Sequence, residues 1–78
     1  MPVREPVVDV EVRGDGIRLG QLLKLAGLVD TGADAKAVLE AGEVTVGGRV
    51  ETRRGRQLSS GDVVALGGRR VRLVAAAG

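Results

Sequence analysis

The chain contains no histidine, cysteine, phenylalanine, tyrosine or tryptophan among its 78 residues. Without cysteine there can be no disulfides, thiolate metal sites or thiol nucleophiles. Without histidine the usual general base is missing too, together with the second common ligand of zinc. The absence of aromatic rings removes the platforms on which single-stranded nucleic acids stack their bases. We therefore predict a protein that is not an enzyme and that binds neither a cofactor nor a metal.

Long apolar segments are also missing from the sequence. No apolar run approaches the roughly 20 residues that a membrane helix needs. Residues 1–6 have no long apolar stretch of the signal-peptide type, so we expect a cytoplasmic protein. Pro2 and Pro6 are the two prolines of the chain. Because proline cannot donate to a strand ladder, they predict a flexible tail over residues 1–6.

Positive charge is concentrated in the second part of the chain. The net charge is +2. Residues 1–46 contain five Lys or Arg against eight Asp or Glu, whereas residues 47–78 contain seven Arg against two acids. Such segregation favours a polyanionic partner, and nucleic acid is the commonest of these. Arginines scattered over a solvated surface are the alternative explanation.

Two short helices are predicted after the first strand. The first has four apolar residues on one face at the spacing i, i+3, i+4 and i+7, namely Leu19, Leu22, Leu23 and Ala26. In the second, Thr31 is a suitable N-cap and Asp34 lies three residues later, as in a capping box. The apolar face of this helix is formed by Ala35, Val38 and Leu39.

Short strands are predicted on both sides of the helices. Val8, Val10 and Val12 alternate with polar residues, which is typical of a strand with one buried face. The pairs Gly47-Gly48 and Gly67-Gly68 can form tight hairpin turns. The order indicates an α+β fold: two short helices packed on a small, mostly antiparallel sheet, with an extra N-terminal strand. We expect a single domain at residues 7–74 and a second flexible tail at residues 75–78.

At residues 17–66 this order resembles a known family. The segments IRLGQLLKLAG at 17–27, TGADAK at 31–36, GEVTVGGR at 42–49 and SGDV at 60–63 are similar to the RNA-binding domain named after the fourth protein of the small ribosomal subunit. The resemblance is greatest to short stand-alone bacterial members, in which ETRR at 51–54 also has a counterpart. Gly20 departs from the family, because many members carry an acidic residue there.

The resemblance implies an alpha-L RNA-binding motif, two short helices running into a hairpin, with core residues 17–66. It implies a non-catalytic protein whose partner is structured RNA such as ribosomal RNA or transfer RNA. In this family, basic residues of both helices form part of the surface that faces RNA. That property makes Lys24 and Lys36 candidate contacts, and we assign Arg18 and Arg49 to the same surface.

The strongest candidate site is the cluster Arg53, Arg54 and Arg56, predicted to lie in an exposed loop. Guanidinium groups bind phosphate bidentately and keep their charge at any relevant pH. Alternatively, one or two of these arginines pair with Glu51 or Asp62 and the rest are solvated. With no aromatic residue present, recognition by RNA shape and phosphate backbone is expected.

Two further sets of residues have less specific signals. Thr31 opens a helix whose free N–H groups could receive a phosphate, or it serves as an ordinary cap. Arg69, Arg70 and Arg72 fall on a predicted edge strand, where charge also protects against aggregation.

Two other functions remain open. The chain could be a small protein-interaction module that docks a partner by its sheet edge or its alanine-lined helix. It could also bind DNA through the same basic surface. No membrane and no small-molecule substrate are expected as partners, and the oligomeric state is unknown.

Overall fold

The computed structural model describes residues 7–13 and 16–76; the tail predicted at residues 1–6 lies outside the described residues. Along the described chain the strands and helices are β1 (Val7–Val12), β2 (Ile17–Arg18), α1 (Leu19–Leu25), α2 (Gly32–Glu40), β3 (Val44–Val46), β4 (Arg49–Val50), β5 (Gln57–Leu58), β6 (Val63–Leu66) and β7 (Arg69–Ala75). Both predicted helices are present. This order confirms the predicted α+β fold.

The main sheet has five strands in the order β1-β7-β6-β3-β4. β1 runs parallel to β7, and the other neighbouring pairs are antiparallel. In the parallel pair Val10 lies beside Leu73. Because strand side chains alternate between the two faces, this register puts the alternating valines of β1 beside the core residues of β7.

Two expectations about β7 need correction. β7 is an interior strand between β1 and β6, because the N-terminal strand occupies the edge position, so the arginines of β7 do not protect an exposed edge. β7 also continues through Ala75, one residue beyond the predicted end of the domain at 74. The extension is stabilised by β1, since Ala75 pairs with Val12 and the N–H of Ala76 donates to the carbonyl of Val12 at 3.0 Å.

The core is entirely aliphatic and lies between the helices and the main sheet. The largest fully buried side chains come from both helices and from four strands: Leu19, Leu22, Leu23, Leu39, Val44, Leu58, Val64 and Leu73. Each such side chain contributes about 1.5–3 kcal/mol when it leaves water. Burial of Leu19, Leu22 and Leu23 confirms the helical face that the sequence spacing predicts.

A second, two-stranded sheet forms where the sequence predicted no pairing. β2 is antiparallel to β5, with Ile17 beside Leu58 and Arg18 beside Gln57. Gly16, just before β2, has φ +114°, and a Cβ atom there would clash with the carbonyl oxygen of Leu58. Because glycine has no Cβ atom, the backbones of Gly16 and Leu58 can lie this close together. Because β5 follows the arginine cluster Arg53, Arg54 and Arg56, the pair brings that cluster against the start of α1.

Candidate nucleic-acid interface

The first turn of α1 is capped by the backbone of residues 51–56, which we call the basic loop. The N–H of Leu19 donates to the carbonyl of Arg56, and the N–H of Gly20 donates to the carbonyl of Arg54, both at 2.9 Å. These bonds satisfy donors that have no partner inside a helix. The Gln21 side chain also accepts from the N–H of Arg18 at 3.4 Å. A distant segment therefore caps this helix, and no acidic residue is needed at position 20.

Glycine at position 20 also permits close contact between the helix and the loop. A Cβ atom on Gly20 would lie 3.1 Å from the Cβ of Arg54 and 3.4 Å from its carbonyl oxygen. The first distance is tighter than ordinary van der Waals contact, so a side chain here would displace the loop by a few tenths of an ångström. The departure from the family pattern thus has a packing explanation.

Glu51 fixes the conformation of the basic loop from within. Its side chain is only 10% exposed although it carries a charge. One carboxylate oxygen accepts from the backbone N–H groups of Thr52 at 3.0 Å and Arg53 at 3.2 Å. The guanidinium groups of Arg53 and Arg56 reach the carboxylate at 3.4 and 3.0 Å. Both oxygens of the carboxylate therefore accept hydrogen bonds.

These contacts lower the pKa of Glu51 from its usual value of 4.5 to about 2. The largest cause is the hydrogen bond from the Arg56 side chain, followed by the backbone N–H of Arg53, while burial acts in the opposite direction. Hydrogen bonds and positive charge favour the ionised form of a carboxyl group. Glu51 is therefore charged over the whole physiological pH range.

The loop arginines divide into two kinds. Arg53 and Arg56 pair with Glu51, as the alternative interpretation of the sequence allowed. Among the described residues Asp62 is not their partner, and it accepts from the backbone N–H of Ser59 instead. Among the residues that the structure describes, the side chain of Arg54 has no hydrogen bond or ion pair. Arg54 is thus the loop arginine whose guanidinium donors are all available to a ligand, whereas Arg53 and Arg56 each use one nitrogen on Glu51.

A cleft of about 300 Å³ lies between the basic loop and the two helices. We call it the cationic cleft, and it is lined by Arg18, Gly20, Gln21, Lys24, Gly32, Ala35, Arg54 and Gly55. None of these residues is acidic. Within the described chain, the side chains of Arg18 and Lys24, like that of Arg54, have no hydrogen bond or ion pair. Three unpaired cations therefore surround one concave surface.

A second groove of about 150 Å³ lies on the other side of Arg54 and is lined by Lys36, Leu39, Glu40, Thr52 and Arg54. Here Lys36 forms an exposed pair with Glu40 at 3.9 Å. Exposed pairs of this kind contribute about 0–1 kcal/mol, so Lys36 can readily exchange its partner. Arg54 lines both concave surfaces and is the residue they share.

The N-terminus of α2 borders the cationic cleft. The Thr31 hydroxyl accepts from the N–H of Asp34 at 3.0 Å, which is an ordinary N-cap. Gly32, the first residue of the helix, lines the cleft. A contact between Thr31 and phosphate stays a prediction.

Arg49 lies apart from the cationic cleft and from the second groove. It is exposed on the edge strand β4, where it pairs across the hairpin with Val46. The structure thus brings Arg18, Lys24 and Arg54 together, places Lys36 next to them, and leaves Arg49 on the hairpin. The sequence did not predict that Gly20 and Gln21 line the cleft, nor the organising role of Glu51. The sequence feature that could have indicated this role is that Glu51 is the single acidic residue in the basic segment ETRRGR at 51–56.

The arginines of β7 interact with other groups of the protein. Arg72 holds Asp9 of β1 through two hydrogen bonds, Nε to Oδ1 at 3.1 Å and Nη2 to Oδ2 at 3.3 Å. Arg69 donates from Nη1 to the carbonyl of Gly27 at 3.2 Å. Arg70 also has an interaction partner.

Within the described residues, no group of three or more carboxylates is placed to hold a metal ion. Across the same residues, the helices are too short and too polar to cross a membrane. The cytoplasmic location expected from the sequence stays a prediction.

Two short helices leading into a hairpin, with a basic surface on the helical side, define an alpha-L motif. The chain belongs to the S4 domain family, whose model matches residues 10–74. It is 42% identical over 59 residues to the probable ribosome maturation protein RlbA of Bacillus subtilis (strain 168), covering 76% of this chain and 83% of RlbA. It is 41% identical over 59 residues to YbcJ of Escherichia coli (strain K12), covering 76% of this chain and 84% of YbcJ.

The fold is also similar to the solution structure of Escherichia coli YbcJ, with a TM-score of 0.69 and 31% sequence identity. The match covers 95% of each chain. That structure is described as revealing an alpha-L motif involved in RNA binding. The resemblance noted from residues 17–66 is therefore confirmed at the level of family and fold.

Proposed function

We propose that this protein binds structured RNA, without catalysis, by placing the phosphate backbone in and beside the cationic cleft. The observation that carries the proposal is a set of three cations, Arg18, Lys24 and Arg54, which have no side-chain partner among the described residues and surround one cleft that no acidic residue lines. Unpaired cations converging on a concave surface attract a polyanion and release its counterions on binding. Membership of the S4 domain family supports the same function.

Each cation would have a distinct part in binding. The guanidinium groups of Arg18 and Arg54 can each hold two phosphate oxygens, whereas the Lys24 ammonium acts as a point charge. The N-terminus of α2 adds a partial positive charge at the border of the cleft. Lys36 and Arg49 would extend the contact along the second groove and the hairpin. With no aromatic residue in the chain, shape and backbone contacts would dominate over base stacking.

Ribosomal RNA is the partner that we favour among structured RNAs. RlbA is named as a probable ribosome maturation protein, and YbcJ is described as RNA-binding. Both relatives are similar in length to this chain, since the matched 59 residues cover more than four-fifths of each. Crosslinking in cells followed by sequencing of the bound RNA would test this assignment, and recovery of no RNA above background would refute it.

Salt-dependent binding to a folded RNA tests the proposal in vitro. For the double variant Lys24→Ala/Arg54→Ala we expect affinity to fall at least roughly tenfold, because two charged hydrogen bonds are lost. The slope of log affinity against log salt should fall by about 0.7–0.9 for each phosphate contact removed. The matched control is Arg69→Gln/Arg70→Gln, which removes the same charge from β7 and should change affinity by less than about twofold.

Three outcomes would contradict the proposal. They are absence of RNA binding by the wild-type protein, binding that does not depend on salt, and equal losses in the cleft variant and the control. Salt-insensitive capture of a protein would instead favour the interaction-module alternative. Competition by duplex DNA as strong as by duplex RNA would favour general nucleic-acid binding.

A further inference from the structure

We propose that Glu51 is a positioning residue of the binding surface: its carboxylate fixes the basic loop so that Arg54 is presented to phosphate. This inference rests on the proposed function, because it assigns roles within the same surface. It predicts that an acidic residue strengthens the binding of a polyanion. That direction is opposite to the one expected from charge alone.

The Glu51 carboxylate makes many contacts within the basic loop. It accepts two backbone N–H groups, of Thr52 and Arg53, and two guanidinium donors, from Arg53 and Arg56. All four donors belong to the five residues that follow Glu51. A nearly buried acceptor with this many local donors defines the path of the backbone around it.

The basic loop is also anchored to α1. The carbonyl groups of Arg54 and Arg56 receive the N–H groups of Gly20 and Leu19, and the N–H of Arg56 donates to the carbonyl of Arg53 at 3.3 Å. The loop is thus held by Glu51 on one side and by the start of the helix on the other. Both attachments leave the Arg54 side chain outside, lining the two concave surfaces.

The positive charges of the basic loop differ in their surroundings. Arg53 and Arg56 offset the charge of Glu51, and in return their guanidinium groups are directed towards it. Arg53 keeps a 79% exposed side chain, so exposure alone would make it a good RNA contact. The contact geometry favours Arg54, because Arg53 is bonded to Glu51 through Nε, whereas Arg54 has no side-chain partner among the described residues and lines both concave surfaces. The three arginines are therefore not equivalent.

The decisive variant is Glu51→Gln, which raises the net charge by one without removing any arginine. If Glu51 positions the loop, we expect affinity for structured RNA to fall about tenfold, because the loop must be ordered again on binding. The matched control is Glu43→Gln, the same change at an exposed acid that lines neither concave surface. We expect the control to bind as tightly as the wild type or slightly more tightly.

A thermodynamic cycle separates positioning from general structural damage. If Glu51 acts through Arg54, Glu51→Gln should cost little further affinity in a chain that already carries Arg54→Ala. A general loss of folded protein would reduce the affinity of both chains by the same factor. Additive losses in the cycle would therefore overturn the inference.

A second comparison avoids any folding defect in Glu51→Gln. Arg54→Ala and Arg53→Ala remove identical groups from adjacent exposed positions. We expect Arg54→Ala to weaken binding about tenfold and Arg53→Ala by less than about threefold, because only Arg54 lines the two concave surfaces. Equal losses would overturn the inference, as would unchanged or tighter binding by Glu51→Gln. The proposed function would survive either result, and it would fail if the wild type bound no RNA.

Discussion

Two groups of three arginines stand in the second half of the chain, and the structure uses them differently. In the basic loop Arg53 and Arg56 pair with Glu51, while Arg54 is unpaired within the described chain and lines a cleft. On β7, Arg69 and Arg72 are bonded to Gly27 and Asp9 respectively. β7 also lies inside the sheet, whereas the basic loop covers the start of a helix.

The difference teaches that local charge density does not identify a binding surface. The second half owes its excess charge to both groups, yet most of these arginines are engaged within the protein. The cleft instead takes two of its three cations from the first part of the chain, whose net charge is negative. What defines the site is a set of cations without protein partners on a concave surface.

The largest effect should come from reversing one charge in the cleft. Arg54→Glu places a carboxylate among the remaining cations, and we expect RNA affinity to fall about a hundredfold, because a contact is lost and a repulsion is gained. The control on β7 is the exchange Asp9→Arg/Arg72→Asp, which keeps the pair and the net charge. It should change RNA affinity by less than about twofold. A comparable loss in both proteins, measured by titration at fixed salt, would erase the distinction between the two regions.

Two glycines compare the stability of the segment that holds the basic loop with that of a turn in the main sheet. Gly61→Ala introduces a side chain at φ +95° in open space and should cost about 1–2 kcal/mol. Gly16→Ala combines φ +114° with a clash against the Leu58 carbonyl, so we expect a loss of at least about 3 kcal/mol. Urea denaturation gives both values. Equal losses of unfolding free energy in the two variants would show that the close contact of β2 with β5 does not stabilise the segment that holds the basic loop.

Acid should weaken the basic loop by protonating Glu51. The folded-state pKa of about 2 is lower than the usual 4.5, so the ionised carboxylate stabilises the fold fully above pH 4.5. This contribution is lost progressively as the pH falls from 4.5 towards 2. The measurable quantity is the difference in unfolding free energy between wild type and Glu51→Gln, which should shrink over that window. A difference that stays constant with pH would show that the charge of Glu51 does not stabilise the loop.

The smallest effect is expected at the edge of the sheet. Asp9→Asn weakens the ion pair between Asp9 and Arg72, and the side chains of both residues are about half exposed. Exposed pairs contribute about 0–1 kcal/mol, so the melting temperature should fall by at most about 4–8 °C. RNA affinity should not change. A loss of RNA binding in this variant would mean that the face of β1 and β7 takes part in recognition.

The parts of the structure that sequence patterns predicted are those governed by local spacing. The faces of α1 and α2, the cap at Thr31 and the hairpin turns depend on residues a few positions apart. The partner of β1 and the pairing of β2 with β5 depend on distant segments, and periodicity contains no information about them. The site was predicted in the same uneven way. Its cations were identified as candidates, but the division between Arg53 and Arg54 depends on where Glu51 points.

The capping of α1 by the loop has a consequence for how the protein folds. A seven-residue helix is too short to persist alone in water, and its first donors are satisfied by residues that are synthesised much later. Helix and loop should therefore form in one cooperative step, with a loop-closure entropy to overcome first. A nascent chain that ends before residue 56 would lack the binding surface. The binding surface would then be either complete or absent, so only a chain that has finished folding would bind RNA.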